Sequence, residues 1–276
     1  MEKLQILVAT MHRTDASFVE DMNVRCSAII ANQADREEIT NRKTEYGTLK
    51  MITTATRGVG LNRNIALLAA ESEIVLFADD DMVYRDDVPE KVLNAFRENP
   101  SADVIIFGAD IVKGGKIVER RYLPNVRRRI WNSMKFGTYA IAARRKSLLR
   151  ENIMFSQNFG GGCLFSSGED SLFLKSCFAH GLKVYSNEYV LGSCCKDTSS
   201  WFRGYNEKYF YDKGVLLRYL FPKSSYLMAL YFGGCFSGKT DLGLFKRLNL
   251  MYRGIRNGKK MIPYGDGNGK DRHSEQ

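Results

Sequence analysis

The sequence contains few of the residues that build metal-rich or disulfide-stapled proteins. Three of its 276 residues are histidine (His12, His180 and His273), which argues against a metal site made from several histidines. The six cysteines form no CxxC pair and show no zinc-finger spacing. We therefore expect reduced, mostly buried thiols and a cytoplasmic protein.

Long apolar runs are also missing. None approaches the length that crosses a bilayer, and the apolar stretch at residues 4–9 is too short for a signal peptide. Acidic residues are outnumbered, 31 against 41 Lys and Arg, which gives a net charge of +10 and a pI near 9.3. This balance predicts attraction to an anionic partner such as a nucleotide diphosphate or an acidic membrane. We expect no nucleic acid, because the sequence contains no recognition module for one.

Short apolar runs alternate with segments of helical periodicity in the first half of the chain. The candidate strands are residues 4–9, 28–31, 49–53, 74–78 and 104–107. Such alternation predicts an α/β fold with a doubly wound, mostly parallel sheet. In that architecture ligands bind outside the carboxyl ends of the strands.

Three carboxylates, Asp79, Asp80 and Asp81, directly follow one of these runs. Like charges side by side are costly unless a cation neutralises them, and carboxylate oxygens suit Mg²⁺ or Mn²⁺. A solvated acidic loop would have the same composition, and position alone does not separate the two interpretations. Thr10 and Asn32 follow the first two strands at the same sheet edge, which favours a site.

A second acidic pair, Glu169 and Asp170, follows Gly168 at the start of a predicted helix. Capping and the helix dipole favour acidic residues at that position, so on its own the pair indicates local stabilisation rather than catalysis. Its place in the chain after the first acidic cluster changes that interpretation.

The two acidic segments stand in the order that is typical of one enzyme family. The sequence GLNRNIALLAAESEIVLFADDD from Gly60, followed by GEDSLF from Gly168, resembles inverting GT-A glycosyltransferases of the family-two type, over roughly residues 4–215. The resemblance implies a GT-A fold, which is a Rossmann-like doubly wound sheet, with a C-terminal helical, basic and aromatic extension. It also implies transfer of a sugar from a UDP-sugar to a hydroxyl acceptor with inversion, dependent on Mn²⁺ or Mg²⁺.

The resemblance also implies roles for the acidic residues. Asp81, with Asp79 nearby, would hold the divalent cation, and Asp79 would face the nucleotide ribose. Asp170 would be the catalytic base that accepts the proton of the acceptor hydroxyl, and Glu169 beside it is the second catalytic candidate.

For the nucleotide, the resemblance implies a base contact at Thr10. It leaves the uracil contact open between Asn32 and Asp35, because the usual aspartate turn is absent. Arg57 and Arg63 are candidates for the uracil or the diphosphate. Either arginine could instead be surface charge, an interpretation that suits Arg63 better than Arg57.

Two further regions depart from the family or stay ambiguous. Residues 192–201 lack the late histidine that family members often use as a metal or phosphate ligand, and Cys195 would be a poor partner for Mg²⁺. Arg127, Arg128 and Arg129 fit either the phosphate of a lipid-linked acceptor or a solvated basic loop.

We expect residues 1–214 to form the GT-A domain, with a nucleotide-sugar half at 1–109 and an acceptor half at 110–214. Residues 215–264 would be a helical extension, and residues 265–276 a disordered tail. Basic residues interleaved with Tyr, Phe and Leu in the extension fit an interfacial helix on anionic lipid or a helix packed on the main domain.

The predicted enzyme would act in the cytoplasm or at the inner face of the cell membrane. Its acceptor would be a glycan or lipid-linked glycan in bacterial capsule, exopolysaccharide or lipopolysaccharide synthesis. A sugar nucleotidyltransferase would share the sheet layout, but it needs a glycine-rich loop after the first strand, and residues 9–14 contain no glycine. The basic charge also fits a protein that binds nucleic acid or membrane without catalysis, and the motifs fit a relative that has lost activity.

Overall fold

The computed structural model describes residues 3–130, 136–195, 204–236 and 238–258. The strands in these residues are β1 (Leu4–Met11), β2 (Ala28–Gln33), β3 (Glu38–Thr44), β4 (Gly47–Thr54), β5 (Ile74–Asp79), β6 (Met82–Tyr84), β7 (Val104–Lys113), β8 (Lys116–Arg121), β9 (Val126–Arg127), β10 (Ile141–Arg144) and β11 (Val184–Cys195). The helices are α1 (Phe18–Asp21), α2 (Val59–Ala69), α3 (Val88–Glu98), α4 (Arg145–Arg150), α5 (Glu169–Ala179), α6 (Glu207–Leu220), α7 (Ser225–Cys235) and α8 (Leu244–Gly258).

The strands form one sheet with the order β3-β4-β2-β1-β5-β10-β7-β11-β6, to which β8 adds on β7 and β9 on β11. Its centre, β4-β2-β1-β5, is parallel, and β7 and β11 are parallel to each other. Both faces are covered: Ile6 and Val8 of β1 share a core with α1 and α3, whereas Leu7 shares one with α2 and α5. The predicted doubly wound α/β sheet is confirmed.

The burial of β5 explains why its sequence is a continuous apolar run. Residues 74–78 are all buried, because helices lie against both faces of the sheet at this point. The chain leaves the core at Asp79, where the run of carboxylates begins.

Some elements were predicted and others were not. The candidate strands at 4–9, 28–31, 49–53, 74–78 and 104–107 are confirmed as parts of β1, β2, β4, β5 and β7. A hairpin turn at Lys113–Lys116 joins β7 to β8, and both of its central glycines have a positive φ. Strand β3 was missed, because it is an exposed edge strand without apolar alternation. Strand β10 runs antiparallel between β5 and β7, so it interrupts the parallel order.

Helices α6, α7 and α8 pack around a core of their own, which includes Phe210, Leu217, Ala229 and Met251. Gly214, at the predicted domain boundary, lies in the middle of α6. A Cβ at Gly214 would lie 2.1 Å from the carbonyl oxygen of Met251, so α6 and α8 form one closely packed unit. The boundary at residue 109 likewise falls inside β7, and the predicted tail at 265–276 lies outside the described residues.

All six cysteines are among the described residues, and no disulfide joins them. Cys177 and Cys194 are buried, whereas Cys195 and Cys235 are exposed, so the expectation of mostly buried thiols is only partly right. None of the described helices combines the length and the apolar character needed to span a bilayer.

Candidate active site

The carboxyl ends of three neighbouring strands bring the first group of predicted residues together. Thr10 of β1 stands beside Asn32 of β2, and Asp79 of β5 is aligned with the residue before Thr10. The Thr10 hydroxyl donates a hydrogen bond of 2.5 Å to Asp80, which also pairs with Arg13 at 3.1 Å. Asp80 therefore ties the β5–β6 turn to the end of β1.

Asn32 is fully buried, and its side chain holds the loop that follows β1. Its Oδ1 accepts a hydrogen bond from the Arg13 amide, and its Nδ2 donates to the Arg13 carbonyl (2.9 Å) and to Thr53 Oγ1 (3.1 Å). These bonds use both N–H groups of the amide and one lone pair of its oxygen, and the base contact expected at Asn32 stays a prediction. Asp35, the second candidate for that contact, is exposed and pairs with Arg57 across the loops that follow β2 and β4.

Glu169 and Asp170 occupy the first turn of α5, as predicted. Gly168 precedes them with a φ of +115°, a conformation that favours glycine. A Cβ at Gly168 would lie 2.5 Å from a methyl group of Leu216, so α6 packs directly against the start of α5.

Arg63 of α2 joins the two acidic segments. Its Nη2 donates to Asp79 Oδ1 at 2.6 Å and its Nη1 to Glu169 Oε1 at 2.9 Å, and only 5% of the side chain is exposed. Burial lowers the pKa of Arg63, but the attraction of Asp79 and Glu169 outweighs it and holds the pKa above its usual value. The interpretation of Arg63 as surface charge is therefore wrong. Asp79 and Glu169 belong to one site.

Asp170 follows Glu169, which is one of the two carboxylates that Arg63 binds. Burial raises the pKa of Asp170 to about 7, and the neighbouring Glu169 charge adds to the effect, whereas the hydrogen bond from the Ser171 amide opposes it. That bond, from Ser171 N to Asp170 Oδ1, is 2.6 Å long. A carboxylate with a pKa near neutrality is suited to accept a proton from a hydroxyl group.

Sequence reasoning missed the support that α6 gives to this site. Asp212 is buried and accepts hydrogen bonds from the amide (3.0 Å) and the hydroxyl (2.9 Å) of Ser166, which anchors the loop before α5. Burial lowers the pKa of Lys213, the next residue of α6, and the charge of Asp170 opposes that effect. Adjacent Asp and Lys residues inside an aromatic helix pattern were the one signal in the sequence.

A glycine loop at residues 160–162 completes the surroundings of Glu169. The Gly161 carbonyl accepts a hydrogen bond of 2.9 Å from the Val59 amide at the start of α2. A Cβ at Gly160 would lie 2.9 Å from the carboxyl carbon of Glu169. The three consecutive glycines thus allow the loop to approach both the helix of Arg63 and Glu169.

Asp81 lies in the turn between β5 and β6. Its carbonyl oxygen accepts a hydrogen bond of 2.9 Å from the Cys195 amide. The segment 192–201, in which family members often carry a histidine, therefore borders the acidic cluster at Cys195. Residues 196–201 of that segment lie outside the described ranges. Burial raises the pKa of the Tyr84 phenol, and the charges of Asp79 and Asp81 add to the effect.

Carboxylates are the side chains of this site that could bind a divalent cation. Within the described ranges no three His, Cys, Asp or Glu side chains are grouped to hold a metal ion. Mg²⁺ is commonly held by one or two carboxylates and completed by substrate phosphates and water, rather than by a protein cage. Asp81 and Asp79 fit that kind of binding.

The three arginines at positions 127–129 lie apart from this site. They line a cavity of about 650 Å³ with Lys175 and Phe178. Phe178 is in the last turn of α5, about 12 Å along the helix axis from Asp170. The basic cavity and the acidic site therefore lie at opposite ends of α5.

Comparison with known proteins adds a family and a fold. Residues 28–153 match the family model described as Glycosyl transferase family 2, and no curated protein matches the chain. S. aureus TarS 1-349 in complex with UDP-GlcNAc is 16% identical, with a TM-score of 0.64 over 92% of this chain and 82% of that chain. The complex of TarS 1-349 with UDP is 15% identical, with a TM-score of 0.53 over 94% and 72%. A structure of TarS is 17% identical, with a TM-score of 0.56 over 86% of this chain and 44% of that chain.

At these sequence identities the structural similarity establishes the fold alone. The family match supports glycosyl transfer as the activity. The architecture is the GT-A fold, a large α/β sheet followed by a helical C-terminal region. The matched segment and the shared fold together confirm the resemblance to GT-A glycosyltransferases of family two.

Proposed function

We propose that the protein is a metal-dependent inverting glycosyltransferase that moves a sugar from a UDP-sugar to a hydroxyl acceptor. The observation that carries the proposal is the buried guanidinium of Arg63, which binds Asp79 at 2.6 Å and Glu169 at 2.9 Å and so unites the two acidic segments. The UDP and UDP-GlcNAc complexes of TarS support a uridine nucleotide as the donor.

Asp170 is the base in this proposal. It accepts the proton of the acceptor hydroxyl as that oxygen attacks the anomeric carbon, and a single displacement inverts the configuration. A pKa raised to about 7 by burial makes proton transfer to this carboxylate favourable near neutral pH. Glu169 acts through Arg63 and is a positioning residue, since its two oxygens accept hydrogen bonds from Arg63 and from the Gly168 amide.

The nucleotide lies at the strand ends in this proposal. Thr10, Asp35 and Arg57 lie at or just beyond the ends of β1, β2 and β4, where a doubly wound sheet binds its ligand. Asp81 and Asp79 hold Mn²⁺ or Mg²⁺. When bound, that cation stabilises negative charge on the departing diphosphate.

The acceptor in this proposal is a glycan or lipid-linked glycan of a bacterial surface polysaccharide. The family resemblance supports that class, and the net charge of +10 suits work at the inner face of an anionic membrane.

The test is a screen of UDP-sugars for Mn²⁺-dependent thermal stabilisation and sugar transfer. The Asp170→Asn variant should lose transfer and keep nucleotide-dependent stabilisation, and Asp81→Asn should lose the dependence on Mn²⁺. The exposed Asp241→Asn is the matched control and should behave as wild type. Transfer retained in Asp170→Asn would remove the base assignment, and wild-type protein that no UDP-sugar stabilises would remove the donor assignment.

A further inference from the structure

Helix α7 exposes an apolar surface that the proposed catalysis does not use. Its sequence, SYLMALYFGGC, contains no charged residue. One side is buried at Ala229 and Gly233, whereas Tyr226, Leu227, Leu230 and Tyr231 are 44, 66, 49 and 64% exposed. The outward face of a surface helix is normally polar, so this face is unusual.

The same surface continues onto α8. Gly233 packs against Leu248, since a Cβ there would lie 2.7 Å from a Leu248 methyl group, and the rings of Tyr226 and Tyr252 are 5.2 Å apart. Phe245 lies one turn before Leu248 on this flank of α8 and is 88% exposed. We name Tyr226, Leu227, Leu230, Tyr231 and Phe245 the α7 face. Contiguous exposed apolar side chains of this size indicate a partner or a membrane.

The charges around the α7 face help to decide whether a protein partner or a membrane covers it. Residues 221–258 contain six Lys and Arg residues and one acidic residue, Asp241. Of the six, Arg247 is buried and Lys246 pairs with Glu207 at 2.5 Å. The four other cations are exposed, namely Lys223, Lys239, Arg253 and Arg256.

A symmetric contact between two copies would bring these cations together, because a two-fold interface apposes the same patch of both chains. An anionic lipid surface would instead attract them, and tyrosines beside leucines are typical of residues that lie at the headgroup level. We propose that the α7 face rests in the headgroup region of an anionic membrane, with the four cations at its rim. This specifies the membrane location in the proposed function and does not depend on catalysis.

The test is co-sedimentation of the full chain with vesicles of phosphatidylcholine alone and of phosphatidylcholine mixed with phosphatidylglycerol. We expect binding to the anionic vesicles that weakens with salt. Leu227→Gln combined with Leu230→Gln should lower the partition coefficient at least about tenfold, because the variant loses the free energy that two exposed leucine side chains gain when they enter the membrane. Lys223→Gln and Arg253→Gln should each lower it about fivefold.

The matched control is Leu68→Gln on α2, a leucine of similar exposure (60%) on another helix, and it should bind as wild type does. Since all three leucines are exposed, the variants should keep the thermal unfolding temperature of the parent chain; Tyr231→Gln gives an independent check on the same face.

Equal binding by wild type and the double variant would overturn the proposal, and so would a dimer in sedimentation velocity that the double variant dissolves. Transfer to a soluble acceptor should be unchanged in the double variant. A protein that binds vesicles but transfers no sugar would therefore contradict the proposed function and leave this inference intact.

Discussion

Arg63 of α2 and Glu169 of α5 stand 106 positions apart in the chain and form an ion pair of 2.9 Å. The other terminal nitrogen of Arg63 holds Asp79, so one buried cation separates two carboxylates that would otherwise repel each other. Because arginine does not lose its proton in proteins, this bridge persists across the physiological pH range. It fixes α2, α5 and the end of β5 relative to one another.

Replacing Arg63 with Met should destabilise the protein by about 3–5 kcal/mol, because Glu169, whose side chain is only 14% exposed, would lose its counter-ion. Urea denaturation measures this change. Arg42→Met is the control, since Arg42 pairs with Glu20 on the surface, with 51% and 63% of the two side chains exposed. An exposed pair of that kind should contribute about 1 kcal/mol at most.

The double variant Arg63→Met with Glu169→Gln extends that comparison. Removal of the orphaned charge should recover part of the lost stability, so the two changes should cost less together than the sum of their separate costs. Additive costs would show that the ion pair contributes nothing, contrary to the buried geometry.

The raised pKa of Asp170 predicts a pH-dependent difference in stability. In the unfolded chain an aspartate titrates near a pKa of about 4, whereas burial raises the pKa of Asp170 to about 7 in the folded protein. Between these values the folded state keeps a proton that the unfolded state has lost, so the free energy of unfolding falls as pH rises. The Asp170→Asn variant has no carboxyl group at this position, so its free energy of unfolding does not fall in this way. Its stability relative to wild type should grow from about pH 4 to about pH 7 and then level off.

Urea denaturation at a series of pH values checks this expectation. The exposed Asp241→Asn should show a difference from wild type that is flat with pH. A flat difference for Asp170→Asn as well would mean that the folded protein does not hold the extra proton.

Asp212 should matter more to stability than the lysine that pairs with it. Asp212 is 4% exposed and accepts two hydrogen bonds from the partly buried Ser166, so Asp212→Ala leaves the amide and the hydroxyl of Ser166 without this acceptor and should cost about 1–3 kcal/mol. Lys208 pairs with Asp212 at 2.6 Å, but its side chain is 60% exposed. Lys208→Met should therefore cost less than about 1 kcal/mol in the same urea assay. Equal costs would contradict the anchoring role of Asp212.

Local sequence signals predicted the elements whose faces are uniformly apolar or acidic. The run at residues 74–78 predicted β5 because both sheet faces bury it, and Asp79 marks the point where burial ends. The Gly168 motif predicted the start of α5 because capping and dipole effects act within one turn. In contrast, β3 carries no apolar face and pairs only at the sheet edge, so periodicity gave no signal for it.

Local sequence signals could not predict the contacts of the site between residues that are distant in the chain. Arginine is usually a surface residue, and the burial of Arg63 depends on two carboxylates, one of which is 106 positions away in the chain. Asn32 was placed correctly at a strand end, but the hydrogen bonds of its amide to the Arg13 backbone and to Thr53 join residues that are distant in the sequence. The boundary predicted at residue 214 follows a change of composition, and it falls within α6, where the helix continues.

The glycine before α5 offers the sharpest test of how α6 supports the site. Gly168 has a φ of +115° and a Cβ there would lie 2.5 Å from Leu216, whereas Gly181, at the other end of α5, has a φ of +76° and open space around it. Gly181→Ala should cost about 1–2 kcal/mol from backbone strain alone, and Gly168→Ala should cost a further 1–3 kcal/mol, roughly, from overpacking. Thermal unfolding measures both. Adding Leu216→Ala to Gly168→Ala should cost less than Leu216→Ala does in the parent chain, because it removes the clashing methyl groups. Equal costs for the two glycine variants would show that α6 does not press on the start of α5.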